Sequence, residues 1–154
     1  MRTAEELLVA KGNKLLSVTP DATIYDALMV MNRHGIGSIV INEGDKIVGI
    51  WTERDLISDV MQEGFDPKKA IILDHMTREL KYAEHDETVY QLQDKFLGIR
   101  LRHLLIRKNG QFIGILSEGD VMRALLNEAE TENKSLNKMV SWDYYENWRW
   151  DQNK

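Results

Sequence analysis

A chain of 154 residues, 43% hydrophobic and 29% charged, is sized for one ordinary domain or two small ones and suits a soluble globular protein. Its net charge of -5, with no basic run beyond short pieces such as Lys68-Lys69, argues against a nucleic-acid surface. The lack of cysteine excludes disulfides, thiol catalysis and cysteine-held metal, and no run reaches the ~18 apolar residues of a membrane span.

Met1-Arg2-Thr3-Ala4-Glu5-Glu6 lacks the apolar region of a signal peptide, so a cytoplasmic protein is the expectation. Thr3 and Glu6 form a capping box, and the helix they open carries Leu7, Leu8 and Val9 and stops near Gly12. The apolar segment Leu15-Leu16-Ser17-Val18 leads into the turn Thr19-Pro20-Asp21. Ile24, Ala27, Leu28 and Met31 then fall on one face of a helix. Ser38 to Ile41 and Ile47 to Trp51, separated by a Gly-containing turn, read as a hairpin. After Asp55, Ile57, Val60 and Met61 supply the expected apolar face of another helix ending near Gly64. Gly64-Phe65-Asp66-Pro67-Lys68-Lys69 is the best linker in the chain.

The second half repeats the first without a gap. Asp21, Thr23, Tyr25 and Ile41 return as Asp86, Thr88, Tyr90 and Ile106 at one constant spacing, and Gly49, Ile50, Glu53 and Asp55 return as Gly114, Ile115, Glu118 and Asp120. The expected fold is therefore α+β and sandwich-like, two β-α-β-β-α repeats related by pseudo-twofold symmetry. Halves this small bury little surface alone and should pack together. The boundaries read as 1–64 for the N-terminal helix and first repeat, 70–127 for the second repeat, and 128–154 for a polar connection and a tail. That tail holds three of the four tryptophans, within Trp142 to Trp150.

The doubled segment ending in Thr52-Glu53-Arg54-Asp55 and Ser117-Glu118-Gly119-Asp120 carries the functional question. Hydroxyl-x-x-acid begins many helices that bind nothing, and Thr23/Asp26 and Thr88/Gln91 are read as two such caps. Three features set the doubled corner apart. Gly49 and Gly114 sit within strands, where they allow close approach by a ligand or another backbone. Arg54 stands in a first helical turn, where a cation is unfavourable without an anion. Two halves related by a twofold would bring both corners to their interface. Carboxylates there suit ribose hydroxyls, while hydroxyls, a guanidinium and backbone N–H groups suit phosphate.

These residues make the sequence resemble a tandem CBS-domain pair, or Bateman module. The resemblance rests on the paired Gly-hydrophobic-x-(Thr/Ser)-x-x-Asp segments, Met76-Thr77, Pro20-Asp21-x-Thr23 and Arg102-His103-Leu104, and spans about Leu7 to Leu126. It implies a non-catalytic regulatory module that binds an adenine nucleotide: AMP, ADP or ATP, with NAD-type nucleotides or S-adenosylmethionine as further family ligands. It places Thr52 and Asp55 in one site and Ser117 and Asp120 in the other, with the segments around Val18 and Ala83 lining adenine. Arg54 would hold phosphate at the first site. Gly119 replaces it at the second, where Arg102 or His103 is the substitute. A homodimer is expected.

The remaining candidates are weaker. His34, His75, His85 and His103 form no i, i+4 ligand pair, so neither metal nor catalysis is expected of them. Met29, Met31, Met61 and Met122 fall at helical spacings and are expected in the core. The tail of residues 142–150 either covers an apolar surface of its own chain or dimer, or docks a partner protein through its aromatics. The competing functional reading is a structural or adaptor dimer whose nucleotide sites are empty and whose tail carries the function.

Overall fold

A computed structural model describes residues 1–12 and 15–132. The aromatic tail read at 142–150 lies outside the described residues. Among those described, no helix is long and apolar enough to cross a membrane.

Capping chemistry starts the helices where the sequence places it. In α1 (Ala4–Lys11) Thr3 accepts from the Glu6 N–H while the Glu6 carboxylate accepts from Thr3, and the helix closes on Gly12 at φ 96°. The same reciprocal box opens α2 (Ile24–His34) at Thr23 and α4 (Val89–Ile99) at Thr88. Gly35 ends α2 in the left-handed region at φ 60°, whereas Arg100 takes that conformation after α4 at φ 56°, a more costly choice for a residue with a Cβ.

Each repeat builds one three-stranded sheet. In the first, β1 (Ser17–Val18) lies parallel to β2 (Ser38–Glu43), which pairs antiparallel with β3 (Lys46–Thr52). In the second, β4 (Tyr82–Glu84), β5 (His103–Lys108) and β6 (Gln111–Ser117) repeat that order. Both hairpins carry an irregularity at the same place, between Ile41 and Asn42 and between Ile106 and Arg107. Strands β3 and β6 run directly into α3 (Glu53–Asp59) and α5 (Glu118–Glu132). Val40, Ile47 and Leu105 form a buried cluster drawn from both sheets, with Phe112 and Ile115 packed against it. That seam joins the repeats.

The segments that cover each repeat come from elsewhere in the chain. Although α1 precedes the first repeat, its Ala4, Leu7 and Leu8 belong to the buried cluster of the second, with Leu92, Phe96 and Leu116. The stretch between the repeats, with a 3₁₀ turn at Ile72–Asp74, covers the first through Ile72 and Met76. The two covers are anchored alike. Val89 N–H donates to Arg2 and Ala4 N–H to Glu87, as Ile24 N–H donates to Ala70 and Ile72 N–H to Ala22.

Two expectations are corrected here, and one open alternative is decided. The α3 helix stops at Asp59 and does not run to Gly64; Ile57, Val60 and Met61 are 67%, 54% and 82% exposed, so they form no inward face. Of the four methionines expected in the core, Met31 is buried while Met29, Met61 and Met122 are exposed. The polar stretch from Asn127, which the sequence leaves as a fraying helix or a solvated connection, continues α5 through Glu132, because its polar side chains lie on a helix already held by Val121 and Ala124.

Candidate functional site

The glycines of the doubled corner serve packing. A Cβ on Gly49 would stand 2.3 Å from the Met76 sulfur, and one on Gly114 would stand 2.7 Å from a Leu8 methyl. Both positions are filled from within, by side chains of the two covering segments, where the sequence suggests close approach by a ligand or another backbone. Because Leu8 meets Gly114 as Met76 meets Gly49, the covering segments can be aligned. Beyond those contacts the two segments part, since α1 stays helical to Lys11 while residues 77–79 do not.

Both corners are true capping boxes. Thr52 Oγ1 accepts from the Asp55 N–H at 3.4 Å, while Asp55 Oδ2 accepts from Thr52 N–H at 2.8 Å and Thr52 Oγ1–H at 3.1 Å. Ser117 Oγ accepts from the Asp120 N–H at 3.1 Å, and Asp120 Oδ2 accepts from Ser117 N–H at 2.8 Å. Capping uses one carboxylate oxygen of each acid. Beyond that the corners part.

At the first corner Asp55 has no cationic partner among the described residues, and its Oδ1 accepts nothing. At the second, Lys11 Nζ lies 2.8 Å from Asp120 Oδ2 and Arg123 Nη2 lies 3.2 Å from Oδ1. Burial pushes the Asp120 carboxyl up, but the Lys11 ammonium and the Ser117 donors together outweigh it and hold the group below its ordinary value. One acid is available; the other is satisfied.

The first corner opens on a cleft between the repeats with a volume of about 380 Å³. Thr52, Glu53, Arg54 and Asp55 form one wall; Thr77, Glu79 and Lys81 from the inter-repeat segment form another; Arg102, His103 and Leu105 of the second repeat close it. The inter-repeat wall is held by a two-way backbone bridge. Ile50 N–H donates to Thr77 at 3.0 Å and Thr77 N–H donates back to Ile50 at 2.8 Å. Neither Arg54 nor Arg102 has an ion pair among the described residues, whereas Glu79 is taken by Lys81 at 2.7 Å. Cations facing empty space beside an unengaged carboxylate suit a ligand with both hydroxyls and an anionic group.

Of the residues the sequence assigns, the cleft gathers Thr52, Arg54, Asp55, Arg102 and His103. Ser117 and Asp120 lie at the other corner. Ala83 is fully buried in the second-repeat cluster and Val18 packs against that of the first, so neither lines this cleft. His103 stands between the corners. It lines the first cleft, and burial is the main cause lowering its pKa, with Lys11 adding to the effect and Asp120 opposing it. Thr77, Glu79 and Lys81 were missed as cleft residues. Met76-Thr77 is legible as the start of a repeat, but nothing local shows it crossing back to the preceding corner.

Sequence reasoning also missed a buried polar group beneath the first corner. Trp51, fully buried, donates from Nε1 to Asp59 Oδ2 at 2.9 Å, and His75 Nδ1 lies 3.0 Å from Asp59 Oδ1. Phe65 meets the His75 ring edge-on at 5.6 Å. Among the described residues no group of three or more potential ligands is arranged to hold a metal.

Comparison with known proteins bears on this geometry. A family model for the CBS domain matches residues 10–62 and 70–127. A mitochondrial CBS domain-containing protein of Arabidopsis thaliana is 30% identical over 151 residues, covering 92% of this chain and 73% of that protein. The crystal structure of a CBS-domain containing protein from Agrobacterium tumefaciens superposes with a TM-score of 0.75 at 33% identity, covering 80% of this chain and 99% of that one. A CBS-domain pair crystallised with 5′-methylthioadenosine and S-adenosyl-L-methionine shares the fold at TM-score 0.71 and 22% identity, covering 83% of this chain and 98% of its own.

Proposed function

The chain belongs to the CBS-domain family, with two CBS domains in tandem, and we propose that it is a regulatory sensor of an adenine nucleotide. The ligand sits in the cleft between the repeats, and the chain acts by binding, not by catalysis. AMP, ADP or ATP is the preferred class. The one observation that carries this reading is the cleft of about 380 Å³ in which Asp55 and Arg54 stand together, neither engaged by an opposite charge among the described residues. Asp55 Oδ1 accepts from the ribose hydroxyls; Thr52, Arg54 and Arg102 hold phosphate; Ile50, Leu101 and Leu105 offer apolar surface to the base. The adenosine ligands of the similarly folded CBS-domain pair support that class.

The module works as a homodimer. Ile57, Val60 and Met61 of the first repeat and Leu97, Ile99 and Met122 of the second are large apolar side chains at least two-fifths exposed, more than isolated solvent contacts require. Ligand bound across both repeats then shifts how subunits pack, provided it binds the two arrangements unequally. Calorimetric titration with AMP, ATP and S-adenosylmethionine tests the reading. Binding of at least one ligand tighter than about millimolar, near 4 kcal/mol, is expected; failure of all three sinks the sensor reading in favour of a structural dimer.

A further inference from the structure

We propose that Lys11 is an internal occupant of the second corner, holding it shut so that the module takes one nucleotide and not two. This rests on the nucleotide reading above and concerns the regulation of its second site. The acid that a ribose would need, Asp120, is already held on both oxygens, by Lys11 and Ser117 N–H on Oδ2 and by Arg123 on Oδ1. Lys11 Nζ also reaches the Ile115 carbonyl at 3.4 Å, so the ammonium lies across the end of β6 as well as on the acid. A nucleoside entering there must displace a charge-assisted bond and replace it with neutral hydroxyl donors, which are weaker partners for a carboxylate.

The delivery of that lysine is built into the fold. Lys11 is the last residue of α1, where a cation is favoured by the helix C-terminus. The helix itself is pinned over the second repeat by Leu7 and Leu8, both buried, so little freedom remains to be lost when the ammonium meets Asp120. At the first corner the covering segment is not helical beyond Met76, and its cation, Lys81, pairs with Glu79 and not with Asp55. The first corner is left open and the second latched.

Lys11 is 40% exposed and Asp120 14%, so the latch can yield to solvent and is reversible, not a structural pillar. Lys11→Met keeps the helix and removes the ammonium. Calorimetry with AMP should give one equivalent in the wild type and two in Lys11→Met, the second at least tenfold tighter than any second event in the wild type. Lys11→Gln, a smaller change at an exposed position, repeats the test if the methionine variant folds poorly. To locate the gain, Asp55→Ala should bind its one equivalent roughly tenfold to a hundredfold more weakly, and Asp55→Ala with Lys11→Met should recover one equivalent at the second corner. One equivalent in both wild type and Lys11→Met overturns the latch alone and leaves the nucleotide reading intact. Two in the wild type falling to one in Lys11→Met would make Lys11 a ligand contact and also overturn it. No binding by any variant defeats both.

Discussion

Trp51, Asp59 and His75 of the first repeat are met in the second by Leu116, Ala124 and Leu7, aligned by the repeat spacing and by the paired covering segments. The first set is a buried polar network; the second is wholly apolar and sits in one cluster. The same backbone frame therefore tolerates either solution, and a buried carboxylate is not needed to make it fold. What the polar set adds is direction. Asp59 ties α3 to the strand below it through Trp51 and to the inter-repeat segment through His75, one residue before Met76-Thr77 enters the open cleft. In the second repeat α1 is held by packing, by backbone bonds to Glu87 and His85 and by the exposed Glu5–Lys108 pair, while Lys11 meets Asp120. The repeat with the open corner is the one whose cover is held by a buried polar network.

The largest break in this comparison comes from His75→Leu. It gives the first repeat the residue of the second but strands Asp59, 6% exposed, with Trp51 as its remaining partner. We expect a loss of about 3 kcal/mol in urea unfolding, the usual scale for splitting a buried pair. Adding Asp59→Ala should recover part of it, since the aligned residue is Ala124. A single-variant cost under about 1 kcal/mol would show the carboxylate to be satisfied without the histidine.

Next in size, Asp55→Ala should weaken AMP binding by roughly tenfold to a hundredfold, the value of one or two bonds to a charged group. Asp120→Ala should cost clearly less, because Asp120 is already taken. Equal losses measured by calorimetry would erase the distinction between the corners. Arg54→Gly copies the second corner into the first. It should lower AMP affinity by about tenfold while moving adenosine little, since the guanidinium recognises the phosphate. A parallel loss for both ligands would remove Arg54 from that role.

The smallest expected effect is on pH dependence. His103 has a lowered pKa because burial disfavours its charged form, so the unfolded chain binds the proton more readily. Its contribution is complete above the unfolded value of about 6.5 and declines as pH falls below it. Asp120 is lowered too, and its contribution is lost further into acid, below the ordinary aspartate value of 3.8. His103→Gln should flatten the stability profile just below about pH 6.5, and Lys11→Met should flatten it only below about pH 4. Denaturant midpoints across that range provide the check; a profile with His103→Gln that still falls just below about pH 6.5 assigns the decline to another group.

Much of the frame was legible because its causes are local. A hydroxyl three residues before an acid or glutamine caps its helix wherever it stands, so Thr3, Thr23, Thr52 and Thr88 act as read. Alternation and turn residues likewise place the hairpins, and the constant spacing of matched residues reveals the duplication without any contact being known. Misreadings arose where a side chain's fate depends on a distant segment. Ile57, Val60 and Met61 have the spacing of an inward face, but the chain provides nothing for them to face within the described residues. Gly49 and Gly114 look like ligand approaches until Met76 and Leu8 arrive from sequence-remote covers. Arg54 and Asp55 were recognisable as residue types suited to a nucleotide. Only the folding of two covering segments onto two repeats decided that Asp55 faces open space while Asp120 faces Lys11, because charge pairing is set by distance in space and not along the chain.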